Sequence, residues 1–248
     1  MSDELTSENS ICRYADGLRS FETLLPRGYA LTLKPGVEDR MLVSLSGEGA
    51  VYSRYGALRC VGGTVTTLAS GAEYALVGRN DFRFLLVEPT SGATLSQEQR
   101  VMTIDRKTLA LYEKCAAQPQ FDGFTTTHYF AGRLYGRRVW RPAGVFVIGW
   151  LHRYSHLSIL LSGELSHRTG DGVDRIQGPA VFVGQGGTKR WTYAHTDAEF
   201  MTVNALPTAA MRDLNEVEKH VSCVESDVPR LYDVNNRVKK PEVERCQG

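Results

Sequence analysis

Residues Ser158–Leu165 read SILLSGEL, and 116 residues earlier Leu42–Gly49 read LVSLSGEG. Each is an apolar run that stops at the same Leu-Ser-Gly-Glu turn, at Leu45–Glu48 and at Leu161–Glu164. Short apolar runs bounded by glycine turns are strand texture. The same offset pairs Gly62 with Gly178 and Gly71 with Gly187, so the glycines keep step without a gap. Similarity at a fixed offset marks a repeated unit. The chain therefore reads as a tandem duplication of one small β unit, giving two domains of similar fold.

The flanking sequence extends that reading. From Arg27 to Glu88 short strands alternate with turn signals: YALTLKPG, RMLVSLSGEG, AVYSRYG, TVTTLASG, YALVG and FRFLLVEP. This pattern belongs to a sandwich or barrel. The stretch SQEQRVMTIDRKTLALYEKCAAQ lacks glycine and has few β-branched residues, so it predicts a helical linker centred on Asp105–Ala117. Strand texture resumes in HYFAGRLYGRRVW, GVFVIGWLH, LSILLSGELSH, AVFVG, KRWTYAH and FMTVNAL. A polar tail follows, with one helix expected around Met211–Val221 and then an extended arm. The expected division is an N-terminal β domain at 1–93, the linker at 94–120, a C-terminal β domain at 121–208 and the charged tail at 209–248.

Composition bounds the function. With 42% hydrophobic and 23% charged residues the chain is that of an ordinary soluble globular protein. A formal net charge of +1 gives no electrostatic reason to expect a nucleic acid or a membrane as partner. No apolar run reaches membrane-span length, and the opening MSDELTSENS is too polar for a secretory signal. The five cysteines form no CxxC pair, which points to reduced thiols in the cytoplasm, with Cys60 and Cys115 as small buried apolar residues.

The order of an xLxGE strand end, a glycine step, a V-F-V strand and a glycine-rich turn resembles the cupin jelly roll, in both β regions. The resemblance implies an all-β bicupin: two tandem cupin-like jelly-roll barrels joined by a helical linker, with a partly helical tail. The stretch HRYSHLSILLSGELSHRTGDGVDRIQGPAVFVGQGGTKRWTYAH also resembles small cupin-like proteins of bacteriophages. In cupins two histidines and a glutamate precede the turn glycine, and a further histidine follows on a later strand. Counted from Gly163, the second histidine position falls on His152, the glutamate on His156, the first histidine on Trp150 and the later one on Lys189. In the N-terminal unit the offset places Gly36, Arg40 and Arg79 opposite His152, His156 and His195, so that unit offers no metal ligands there and has a packing, dimerisation or domain-shaping role.

His152, His156, His167 and His195 fall within one short region. Neutral imidazole is a common ligand for divalent transition metals. His152, His156 and His195 are the candidate metal set, and an unidentified divalent transition metal is the candidate cofactor. Against this, the glutamate is missing and Lys189 replaces a histidine, so both histidines could instead sit at a partly exposed strand end. His195 reaches the pocket if Lys189, Trp191, Tyr193 and His195 face inward; the opposite register places Arg190 and Thr192 inside. His167 is expected near the surface, and His128 and His220 are expected to be structural or solvated.

Lys189 and Arg190 are candidate partners for a carboxylate or phosphate, or ordinary charges at a turn. Trp150, Tyr154, Trp191 and Tyr193 are candidate lining residues, or simply filling. Arg133, Arg137 and Arg138 could touch an anion, although a charged, solvated edge strand is the plainer reading. There is no GxSxG, P-loop, GxGxxG, HExxH or CxxC, so hydrolase, NTPase and dinucleotide functions have no support. The expected function is binding of a small polar ligand in the C-terminal barrel, through a metal or not. The resemblance implies isomerase, epimerase or dioxygenase chemistry if the protein is catalytic. The alternative is a non-catalytic phage-type protein with a structural or host-binding role. A homodimer is the expected assembly.

Overall fold

A computed structural model describes residues 10–90, 102–103, 110–112, 114–115, 118–168, 172–223 and 231–232. The first unit holds β1 (Ser10–Ala15), β2 (Leu18–Leu25), β3 (Ala30–Leu33), β4 (Arg40–Ser53), β5 (Gly56–Val61), β6 (Val65–Leu68) and β7 (Tyr74–Pro89). They form one antiparallel sheet in the order β1-β2-β7-β4-β5, with β3 added to β7 and β6 to β4. β4 and β7 are 14 and 16 residues long, and their pairing slips in register at Ser44–Ser46 and again up to Gly49. Such irregularities bend a strand, and here they let one sheet fold over on itself.

Alternation along these strands serves two cores. Leu42, Phe84 and Leu86 point into the first unit, where Phe82 stacks on Phe84 and Leu68, Tyr74 and Leu76 complete the filling. Their neighbours Met41, Val43, Leu85 and Val87 point the other way, into a cluster completed by the second unit.

A two-residue strand, β8 (Met102–Thr103), follows, and residues 110–112 and 114–115 are helical. The expected linker helix is thus present in part, with an extended pair where helix was expected; its other residues lie outside the described set. The second unit has β9 (Thr125–Ala131), β10 (Leu134–Arg141), β11 (Phe146–Ile148), β12 (Leu151–His152), β13 (His156–Ser162), β14 (Glu164–Arg168), β15 (Val173–Gln177), β16 (Ala180–Gly184), β17 (Trp191–Ala194) and β18 (Ala198–Ala205). They make a five-stranded sheet, β16-β13-β18-β10-β9, facing a four-stranded sheet, β11-β17-β14-β15.

Helix α1 (Leu214–Val221) begins where the Asp213 side chain accepts from the Glu216 amide at 3.0 Å, and its Val217 and Val221 pack on Tyr135 and Leu206. The chain then forms β19 (Ser222–Cys223) against β12, and β20 (Leu231–Tyr232) pairs in parallel with β8. The rest of the expected tail arm lies outside the described residues. Among the described residues no helix is long and apolar enough to cross a membrane.

The five-stranded sheet has two buried faces. Leu157, Ile159, Leu161, Met201 and Val203 meet the outward row of the first unit in one shared core. Arg138 donates to the Gly63 carbonyl at 2.7 Å and pairs with Glu199, Arg133 pairs with Glu38 at 2.7 Å, and the Ser155 amide donates to Asp16 at 2.7 Å.

The two units are built alike at the offset read from the sequence. Gly47 and Gly163 both have positive φ, and a Cβ on them would lie 2.2 Å from the Asp81 carbonyl oxygen and 2.3 Å from that of Asp197. Only glycine fits such a turn. Arg59 grips Glu48 with two bonds, and Arg175 grips Glu164 likewise. The Gly71 amide donates to the Gly36 carbonyl at 2.9 Å, and the Gly187 amide to that of His152 at 2.8 Å.

Candidate functional site

The inner face of the five-stranded sheet carries every second residue of each strand. On β10, Leu134 and Gly136 face the first unit, so Tyr135, Arg137, Val139 and Arg141 face inward. On β18, Met201 and Val203 take the outer side and Phe200, Thr202 and Asn204 the inner one. His156 and Ser158 of β13 and Phe182 of β16 extend the same surface. The four-stranded sheet supplies Phe146, Leu165, His167, Ile176 and Thr192 from the other side. Between the sheets lies a cavity of about 600 Å³, bordered as well by Tyr112, Cys115, Phe121 and Phe124 and by Glu218 of α1.

Its charge is positive. Arg137, Arg141 and Arg190 all line it, and among the described residues no carboxylate pairs with any of them. Arg141 is 5% exposed, and its Nη1 donates to Thr192 Oγ1 at 2.5 Å. Burial, with the Arg137 charge adding to it, pulls the Arg141 guanidinium down to about 10. Burial also lowers Arg190. Arg137 lies over the Trp150 ring at 5.3 Å, and Arg141 over Phe200 at 5.4 Å.

Several polar atoms facing this space have no hydrogen-bond partner among the described residues. Asn204 is 3% exposed, and both its amide nitrogen and its amide oxygen are unpaired. Arg137 Nε, Arg141 Nε and His152 Nδ1 are buried and unpaired too. A buried polar group without a partner costs about 1–3 kcal/mol, and five such atoms border this one cavity.

His152 and His156 stack at 4.0 Å between ring centroids, with planes 30° apart. β12 and β13 bring them together, and His156 lies on Gly184 of β16, directly opposite in the ladder. His156 Nδ1 is 3.2 Å from the Tyr154 carbonyl oxygen. Burial drives His156 down to about 4, against the pull of the Tyr154 carbonyl, and Arg190 pushes the same way as burial. His152 falls well below the ordinary range through burial, then His156, Arg190 and Arg137. His167 stacks on Phe182 at 5.0 Å and is lowered by burial, with Asp174 opposing. All three imidazoles are therefore neutral near pH 7. Neutral imidazoles leave the three guanidiniums to set the charge of the site, which can hold an oxyanion.

The donor set does not suit a divalent metal. Among the described residues no three His, Cys, Asp or Glu side chains cluster as a metal site. The guanidiniums that disfavour protonation of the two stacked histidines would repel a cation as well.

The other residues singled out in the sequence are placed as follows. Arg190 and Trp150 line the cavity with His152 and His156. His195 does not join them: its Nε2 is 2.7 Å from Ser166 Oγ on the outer face of β14, and its ring meets Tyr193 edge-on at 5.0 Å. The register of β17 sends Thr192 inward and leaves Tyr193 at the surface, 37% exposed. Trp191 packs on Phe146, Tyr154 on the His220 ring, and the buried Lys189 sets its ammonium 4.5 Å from the Tyr112 ring centre. His167, expected near the surface, is 9% exposed inside the cavity because Leu165 and His167 share the inward rank of β14. His128 is structural, with Nδ1 2.8 Å from the Tyr135 hydroxyl.

Missed in the sequence were Arg141 and Asn204, and Arg137 was read as an edge-strand charge. β10 is no edge: it lies between β9 and β18. Counting by twos from the apolar Leu134 would have turned Arg137 and Arg141 inward together.

No protein-family model matches the chain, and no curated protein matches it. Solved structures do. A cupin 2 conserved barrel domain protein from Leptotrichia buccalis superposes with a TM-score of 0.58 at 10% identity, covering 81% of this chain and 91% of that one. A salicylate 1,2-dioxygenase from Pseudaminobacter salicylatoxidans gives 0.55 at 9% identity, covering 78% and 75%. An oxalate decarboxylase from Lactobacillus farciminis, in a formate complex, gives 0.52 at 12% identity, covering 85% and 90%. The chain has the all-β cupin fold. At such identity the likeness is one of fold, and function rests on the site.

Proposed function

We propose that this protein is a bicupin whose C-terminal barrel is a receptor for a small organic anion, with an apolar or aromatic body and a carboxylate or similar oxyanion. The observation that carries this reading is Arg141: a guanidinium 5% exposed, facing a cavity of about 600 Å³, with no carboxylate partner among the described residues. An uncompensated buried charge is expensive, and a bound anion removes that cost. Arg190, Arg137 and the unpaired Asn204 amide add further donors, while Phe146, Phe182 and Phe200 suit the ligand's apolar part. The first barrel, filled by its own side chains, serves as the platform on which the ligand-binding sheet rests.

The alternative of a purely structural, phage-type protein leaves Arg141 without a counter-ion and the Asn204 amide without partners among the described residues. Calorimetric titration of the full chain with benzoate and hexanoate, alongside Arg141→Met, tests the proposal. Saturable binding that weakens with added salt and disappears in Arg141→Met supports it. Absence of heat and of any thermal shift with either acid sinks it.

A further inference from the structure

Besides Arg190, whose charge acts on the paired histidines, the cavity holds two arginines on one strand, and their spacing constrains the ligand. Arg137 and Arg141 share one face of β10 four residues apart, which puts their Cα atoms about 13 Å apart along an extended strand. Arg137 belongs to the open end. It lies on Trp150, which is 47% exposed, and the ladder places Tyr135, next along its face, opposite Asn204. Arg141 is the more deeply buried of the two, held by Thr192 and covering Phe200. Between the two, Val139 is paired directly with Phe200, and Leu165 and Ile176 line the facing sheet. The order along β10 is thus cationic, apolar, cationic.

A monoacid satisfies only part of this arrangement. Seated at Arg141 it leaves Arg137 Nε and both polar atoms of the Asn204 amide unpaired. Seated at Arg137 it leaves the more deeply buried charge uncompensated.

We infer that the ligand is a dianion with two acidic groups on an apolar spacer, an α,ω-dicarboxylate. One carboxylate is held by Arg141 and Thr192 and the other by Arg137 and the Asn204 amide. The inference rests on the anion-receptor reading and narrows it. The second carboxylate is recognised by charge-assisted hydrogen bonds, and the spacer excludes water from Val139 and Phe200.

Calorimetric titration of the full chain with glutarate, adipate and suberate, each against its own monomethyl ester, tests it. The expected result is a diacid that binds at least about tenfold more tightly than its ester, the worth of one hydrogen-bonded charge. Affinity should pass through a maximum as the spacer lengthens. Arg137→Met should bring the diacid-to-ester ratio to about one, and Arg137→Lys should keep much of the preference, since it retains the charge. Circular dichroism and the unfolding midpoint establish that each variant is folded. Diacids and esters binding wild type within about twofold of one another would overturn the two-ended ligand and leave the anion receptor standing. No binding of either kind would overturn both.

Discussion

The imidazole of His156 lies against Gly184, where an added methyl group would sit 2.3 Å from Nε2 and 2.6 Å from Cε1. The ring is held between that glycine on one side and the His152 ring on the other. Gly184→Ala therefore displaces His156 and its stacked partner. We expect a loss of about 1–3 kcal/mol in unfolding free energy, typical of overpacking, with weaker carboxylate binding. Urea unfolding and calorimetry check both, and an unchanged variant would mean that the ring is free to move.

Acid should destabilise the protein well before its carboxylates titrate. His156 is held near 4, against about 6.5 in the unfolded chain, and His152 is lowered as well. A depressed histidine pKa means that the unfolded chain takes up the proton first as pH falls. The native state thus loses stability as pH drops from about 6.5 toward 4. His156 alone should cost about 2 kcal/mol by about pH 5. Urea midpoints at constant ionic strength should fall between about pH 7.5 and pH 5. His156→Asn should flatten that slope, and a flat wild-type profile would contradict the burial of these rings.

The shared core makes a prediction about cooperativity. All three tryptophans, Trp140, Trp150 and Trp191, belong to the second unit, whereas Leu85 lies on β7 of the first and is fully buried against it. Leu85→Ala should cost about 2–5 kcal/mol and lower the unfolding midpoint seen by tryptophan fluorescence together with that seen by circular dichroism. A fluorescence midpoint that stays put would mean that the two units unfold separately.

Arg141 sets binding against stability. Without ligand, Arg141→Met replaces a buried charge by an apolar chain of similar length, and the unfolding free energy should hold or rise by about 1 kcal/mol or more. The same variant should lose carboxylate binding. A large fall in stability would indicate that Arg141 is satisfied by the protein itself.

The cavity's donors also predict its metal content. Protein purified without a histidine tag should carry no stoichiometric zinc, iron, manganese, nickel or copper by elemental analysis, and chelator should leave carboxylate affinity unchanged. One metal per chain, lost in His152→Ala, would reverse this assignment.

Sequence legibility followed the backbone. The Leu-Ser-Gly-Glu turns, the glycines at 62 and 178 and the strand runs are demands of main-chain geometry, which glycine spacing and period-two apolarity reveal directly. His152 and His156 were visible because a pair of histidines is rare. The arginines of β10 were not, because a strand buried on both faces loses the apolar–polar alternation that assigns its sides. Arg137 and Arg138 then look like equivalent surface charges, although one enters the cavity and the other bridges the two units. The linker helix was overextended because the lack of glycine in its sequence says nothing about the pairing of β8 with β20.

The amide of Gly71 bonds the carbonyl of Gly36, and the amide of Gly187 bonds that of His152. The same scaffold bond thus carries a hydrogen at one end of the molecule and an imidazole at the other. A bond made by main-chain atoms does not itself dictate which side chain leaves the position, so the same frame holds in both units while the residues it displays differ. For an engineer the lesson carries a condition: a Cβ at Gly36 would lie 2.9 Å from the Glu38 carbonyl oxygen and 3.1 Å from Arg40 Nε, so a second site written there requires that turn and Arg40 to give way.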